Sequence, residues 1–281
     1  MKIGFKTSQT SVDWPTLLAT WEAGDQMPVF DSAWIFDHYV ALGAAGGGSH
    51  EAFVTLAALA ARTNRLQLGH LVLGNTYRQP ALVANSGVSM DHISNGRFVL
   101  GLGAGWHEEE HAMYGLTLPP IGERITMLES AVRVIKALWR SPQGVSLEAP
   151  PYHLVDAVCD PPPLTAGGPP IWLGTQGMRR GLRIVAEYAD GWNHTGDPQT
   201  FTEKRDALLR HCDAVGRNPD EIEISAQAFL GDSHEALLGV ASGFAREGAQ
   251  HVILVMPASS GPDGLARLAR EVAEPLREQF G

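Results

Sequence analysis

The apolar run Trp34-Ile35-Phe36 ends in Asp37-His38-Tyr39, an acid and an imidazole side by side. Neighbours at a strand exit point to opposite faces, so one can meet a ligand while the other braces the rim. An imidazole whose ordinary pKa lies near 6.5 suits proton transfer at neutral pH, which makes His38 a candidate general acid or base. A satisfied hydrogen bond at the rim is the competing structural reading.

Two more apolar runs leave through small residues: Leu73-Gly74-Asn75-Thr76-Tyr77-Arg78-Gln79-Pro80, and Gly101-Leu102-Gly103-Ala104-Gly105-Trp106. Bare backbone at such exits lets a flat ligand lie close, so the pattern points to a large planar cofactor, with Arg78 and Trp106-His107-Glu108 just beyond. The glycine spacing does not make a dinucleotide fingerprint. His107 and His111 stand four apart with acids between. That spacing suits a metal on one helical face, but an acidic helix start stabilised by its dipole is the simpler reading, and no metal is expected.

A third exit, Trp172-Leu173-Gly174-Thr175-Gln176-Gly177, runs into Met178-Arg179-Arg180. Free backbone N–H groups, a hydroxyl and two guanidinium groups converge there on a helix start, which reads as a phosphate site. A tight turn with exposed arginines is the alternative. Asp190-Gly191-Trp192-Asn193-His194 offers a further ring-edge contact, or a core tryptophan.

These segments need a frame. β-Branched apolar runs near 2–8, 33–38, 66–73, 97–103, 170–174, 190–194, 221–229 and 250–256 alternate with helical periods. The helices fall near 14–25, 50–63, 80–93, 122–139, 178–189, 198–217, 233–247 and 262–279; Leu128, Val132, Ile135 and Leu138 give the clearest stripe. Parallel strands need helical crossovers and eight of them can close, so the expectation is one α/β domain over 1–281, a (β/α)₈ barrel. A doubly wound open sheet is the alternative. The proline-rich stretch 141–169, between the fourth helix and fifth strand, reads as an insertion packing over or beside the ligand mouth. The glycine-rich 39–50 segment, with Ala44-Ala45-Gly46-Gly47-Gly48, is a second specificity loop.

The chain has 281 residues, 44% of them hydrophobic, and a formal net charge of -10. That balance argues against nucleic acid and anionic membranes as partners. Cys159 and Cys212 are too few for a disulfide framework, and no apolar signal or spanning segment is present. A cytoplasmic, unprocessed enzyme acting on a small molecule is expected. Phe53, Leu56 and Leu59 on the second helix read either as a homodimer seam or as core.

The chain resembles the luciferase-like monooxygenase superfamily, in particular its deazaflavin-dependent oxidoreductases. The resemblance runs through Val72 to Pro80, Asp91-His92-Ile93-Ser94-Asn95-Gly96-Arg97, Gly103 to Glu108, and Ala189 to Asn193. It implies a (β/α)₈ barrel holding coenzyme F420, an 8-hydroxy-5-deazaflavin, or alternatively FMN, at the C-terminal mouth. It places Asp37 and His38 by the cofactor and a non-proline cis peptide at Leu71–Val72 behind the ring. Asn75, Arg78, Ala104, Gly105 and Trp106 would contact it, and Gly174, Thr175, Gln176, Gly177 and Arg179 would hold its phosphate. The Thr175-Gln176 pair departs from a more glycine-rich family turn, and Lys6 has no family assignment.

The implied activity is hydride transfer between the deazaflavin and a small organic substrate. In that reading His38 is the general acid or base, Asp37 orients the ring edge and Glu108 handles a second proton. One alternative is an oxygen-using FMN monooxygenase fed by a separate reductase; another is a flavin-binding protein without catalysis.

Overall fold

In this computed structural model, residues 1–42, 47–141 and 143–281 are described. In chain order the strands are β1 (Lys2–Thr7), β2 (Ser32–Ile35), β3 (Gln67–His70), β4 (Leu73–Gly74), β5 (Phe98–Gly103), β6 (Val145–Ala149), β7 (Tyr152–Ala157), β8 (Ile171–Gly174), β9 (Gly191–Thr195), β10 (Glu223–Phe229) and β11 (His251–Met256). The helices are α1 (Trp14–Asp25), α2 (Ala52–Arg62), α3 (Pro80–Ser94), α4 (Glu108–Met113), α5 (Ile121–Arg140), α6 (Gly181–Tyr188), α7 (Pro198–Val215), α8 (His234–Arg246), α9 (Gly261–Leu268) and α10 (Glu274–Phe280).

All strands except β6 and β7 pair in parallel, in the order β3-β2-β1-β11-β10-β9-β8-β5-β4, and β3 also pairs with β5. That last pairing closes an eight-stranded (β/α)₈ barrel. The expected third strand, 66–73, is split in two by a cis peptide at Leu71–Val72, after which β4 resumes pairing with β5.

Period-two alternation sorts the barrel residues. Ile3 and Phe5 of β1 point outward, where Phe5 meets Trp21 and Phe30 edge-on at 5.9 and 5.1 Å. Each such fully buried side chain is worth about 1.5–3 kcal/mol of hydrophobic stabilisation. The inward residues of the lower barrel are large: Trp34 and Trp172 stack with centroids 4.9 Å apart. They leave no room opposite, for a Cβ on Gly69 would lie 2.8 Å from the Trp34 ring. Beside them His251 bridges Ser32 and Glu223 at 2.8 and 2.9 Å, satisfying the polar groups buried there. Above this plug the inward residues become polar: Lys6, Asn193 and Gln227.

Several motif residues serve the scaffold. Asp91 takes the N–H and hydroxyl of Thr165, Asn95 ends α3 in a left-handed conformation, and the Arg97 guanidinium donates to the carbonyls of Ala60, Thr63 and Leu66. Asp190 accepts from Ile171 N–H and Lys136. Leu56 and Leu59 of α2 are core residues.

Segment 141–169 is not a plain excursion: β6 and β7 form an antiparallel hairpin lying along α5, where Ser130 donates to the Pro150 carbonyl at 2.6 Å. Proline clusters masked its period-two pattern. Pro142 and, in the glycine-rich loop, Ala44, Ala45 and Gly46 lie outside the described residues. Among the described residues no helix is long and apolar enough to cross a membrane.

Candidate active site

A cavity of about 1240 Å³ opens at the C-terminal ends of the barrel strands. Lys6, Asn193 and Gln227 form its floor, Leu71 and Val72 with His38 and Trp106 its walls, and Thr175 to Arg180 part of its rim. Pockets for drug-sized ligands span roughly 300–1,000 Å³, so this cavity is large enough for a tricyclic ring and a second molecule.

The glycines at the strand exits make room for the protein itself as well as for a ligand. A Cβ on Gly103 or Gly174 would sit 2.6 or 2.8 Å from the Val72 methyl groups, and one on Gly105, whose φ is +79°, would strike the Thr76 hydroxyl. The bulge at Leu71–Val72 therefore projects Val72 across the exits of β5 and β8.

Asp37 is buried and fully engaged. Its carboxylate receives two Arg78 N–H groups, at 2.6 and 3.0 Å, and the Gly74 N–H at 3.0 Å. Burial pushes its pKa up, and the bidentate Arg78 opposes that. Arg78 also holds Glu51 at 2.6 Å and does not line the cavity. The pair thus braces the rim behind His38. Asn75 does not line the cavity either; its amide donates to the Tyr152 hydroxyl at 3.3 Å, tying β4 to the hairpin.

His38 lines the cavity, and its Nδ1 lies 2.9 Å from Oε2 of Glu110. Burial lowers its pKa, while Glu110 and Asp37 work the other way. Glu110 also accepts from the Tyr77 hydroxyl and the N–H groups of Tyr39 and Val40. Burial would raise the Glu110 carboxyl, but these donors hold it below the usual range. An ionised Glu110 can only accept, which assigns the proton to His38 Nδ1 and the lone pair to Nε2.

Glu110 was not among the candidate residues. Glu108, which was, sits exposed on the first turn of α4 and does not line the cavity. His107 caps that helix by accepting the Glu110 N–H at 3.1 Å, and His111 bonds the Thr76 hydroxyl and the His107 carbonyl, both at 2.7 Å. The run of three acids carries no local signal of which one turns inward; only the docking of α4 against Tyr39 and Tyr77 selects Glu110.

Gly174, Thr175, Gln176, Gly177 and Arg179 all line the rim, with Ala104, Gly105 and Trp106 across from them. Helix α6 begins at Gly181, three residues later than its sequence period suggests. Trp192 is core, yet its indole N–H pins the Thr175 carbonyl at 2.9 Å. Arg180 donates to Gly122 O and Thr126 Oγ1 of α5 at 3.0 and 2.9 Å, and Lys204 reaches Gln176 at 2.9 Å. Arg179 is exposed and enters no ion pair among the described residues.

Residues 28–274 match a family model described as Luciferase-like monooxygenase. An F420-dependent glucose-6-phosphate dehydrogenase of Amycolatopsis mediterranei (strain U-32) is 34% identical over 232 residues, covering 79% of this chain and 67% of that protein. Against several curated relatives this chain spans only about half to two thirds of their length. An F420-dependent secondary alcohol dehydrogenase, solved with an F420-acetone adduct, superposes with a TM-score of 0.82 at 17% identity, covering 96% of this chain and 98% of that one. The coenzyme F420-dependent tetrahydromethanopterin reductase of Methanopyrus kandleri does so at 0.76 and 18%, covering 100% of both chains. At those identities the likeness is one of fold.

Proposed function

This chain belongs to the luciferase-like monooxygenase family, and we propose that within it the protein is an F420-dependent oxidoreductase moving a hydride to or from a small organic substrate. The observation that carries the reading is the cavity itself: at the barrel mouth, walled by the Leu71–Val72 bulge, with His38 opening onto it. The names of the sequence relatives favour the deazaflavin over FMN.

The residues present fit such a group. Leu71 and Val72 would back the ring, Ala104, Gly105 and Trp106 would flank it, and the Thr175–Gly177 turn with Arg179 would hold a phosphate. When bound, F420 supplies a hydride carrier at C5 of its ring. The chain supplies position and proton handling. His38, kept neutral by burial and oriented by Glu110, accepts a proton at Nε2 from a substrate hydroxyl, or returns one in the reverse direction. Asp37 and Arg78 hold the backbone of β2 and β4 that carries His38 and the bulge.

A fluorescence titration with oxidised and reduced deazaflavin and with FMN tests this. Micromolar binding of the deazaflavin, with FMN at least tenfold weaker, is the expected result. The opposite order would replace the reading with an FMN enzyme.

A further inference from the structure

Lys6 ends the inward row of β1 and is buried on the cavity floor. Its ammonium donates to the Leu71 carbonyl at 2.7 Å and to Gln227 Oε1 at 2.8 Å. Gln227 is turned that way by its own amide, which donates to Asn193 Oδ1 at 2.5 Å and Thr195 Oγ1 at 3.3 Å. Among the described residues no carboxylate pairs with Lys6, and the Phe36 ring lies 5.7 Å from its nitrogen. An ammonium has three protons, and two are placed.

With Lys6 protonated, the cavity lining carries an excess of positive charge. Asp37 is its acidic lining residue, and Arg78 neutralises it from behind; among the described residues no carboxylate pairs with Lys6 or Arg179. In a chain of net charge -10 this is a local inversion. A buried ammonium held only by neutral acceptors is costly, and the cost is met either by loss of its proton or by a further acceptor in the site that completes its shell.

We propose that Lys6 is a ligand-binding residue whose third N–H donates to a carbonyl or oxyanion oxygen of the molecule on the cavity floor. That oxygen belongs either to the ring edge of the cofactor or to the substrate. The inference rests on the cavity being the binding site, and its test separates that from the cofactor's identity. Burial lowers the Lys6 pKa to about 7, so its protonation can be followed directly.

The experiment follows the side-chain nitrogen signals of ¹⁵N-lysine-labelled protein against pH. The chain has lysines at Lys2, Lys6, Lys136 and Lys204, and Lys6→Met identifies the signal of interest. Acetate at 100 mM is expected to raise the Lys6 midpoint by about 0.5 pH unit or more, through stabilisation of the charged form, while isosteric acetamide moves it less. Deazaflavin affinity is then measured in Lys6→Met and Lys6→Arg. A tenfold loss in Lys6→Met, recovered in Lys6→Arg, assigns the oxygen to the cofactor. Unchanged affinity, with the acetate response persisting in the loaded protein, assigns it to the substrate. A Lys6 signal indifferent to acetate and to cofactor, with no affinity change in Lys6→Met, overturns the proposal. Should the deazaflavin not bind at all, the cofactor reading falls while the acetate titration of the free protein still decides Lys6. Lys6→Arg keeps the positive charge and N–H donors at this position, so it covers a misfolded Lys6→Met.

Discussion

Nδ1 of His38 lies 2.9 Å from Oε2 of Glu110, a carboxylate 72 residues away that also takes the Tyr77 hydroxyl. This contact assigns the tautomer of a neutral imidazole that lines the cavity, with the lone pair on Nε2. His38→Ala should keep deazaflavin affinity within about threefold and reduce turnover by about 10²–10⁴-fold, the usual contribution of a positioned acid or base. Glu110→Gln should lower the His38 midpoint further, because the carboxylate now raises it. Glu108→Gln, on the exposed turn, should leave stability within about 0.5 kcal/mol. Steady-state kinetics with histidine NMR titrations check all three; equal losses in the two glutamate variants would remove Glu110 from its role.

Breaking the Asp37–Arg78 pair should cost far more than its net contribution, since one buried charge would be left behind. Arg78→Met is expected to destabilise the fold by about 3–5 kcal/mol. Asp37→Asn combined with Arg78→Met should recover part of that loss. Urea unfolding of the three variants tests this, and additive losses would contradict it.

A methyl group on Gly174 would collide with Val72, so Gly174→Ala should cost about 1–3 kcal/mol through overpacking. Adding Val72→Ala opens the same space and should restore stability. Cofactor affinity should stay impaired in the double variant, because the bulge side chain walling the cavity has been cut back. Thermal melts and fluorescence titration read the two effects separately.

Acid should weaken the fold well before bulk carboxylate protonation. Burial lowers His70 to about 3 and His194 to about 4. Between the unfolded histidine value near 6.5 and those folded values, the unfolded chain binds more protons, so stability falls as pH falls. Glu110 and Glu223, both held low in the folded state, add to the loss below about pH 4.3, the unfolded glutamate value. Urea midpoints from pH 7.5 to 4.5 should drop steadily, and less steeply in His70→Asn. A flat profile above pH 5 would contradict this.

Much of the architecture could be read from the chain. Helix α5 announces itself by Leu128, Val132 and Ile135, and its observed limits exceed the expected ones by a single residue at each end. The hairpin β6–β7 was hidden because Pro150-Pro151 interrupts two short strands, and the six-residue α4 is too short to show a period. At the mouth, the small residues of the β5 and β8 exits were visible as small. That Val72 and Thr76 claim part of the space beside them was not.

By itself the sequence determined the repeated strand–helix alternation, the barrel it closes into and the stretch of backbone that meets the cavity, because periodicity and glycine placement are local properties. Tertiary structure alone decided that Glu110 rather than Glu108 meets His38, that Asp37 is committed to Arg78, and that Lys6 is buried between the Leu71 carbonyl and Gln227. Those outcomes depend on how separate βα units are rotated against one another, and a side chain's partner across the barrel leaves no trace in its own neighbourhood of the chain.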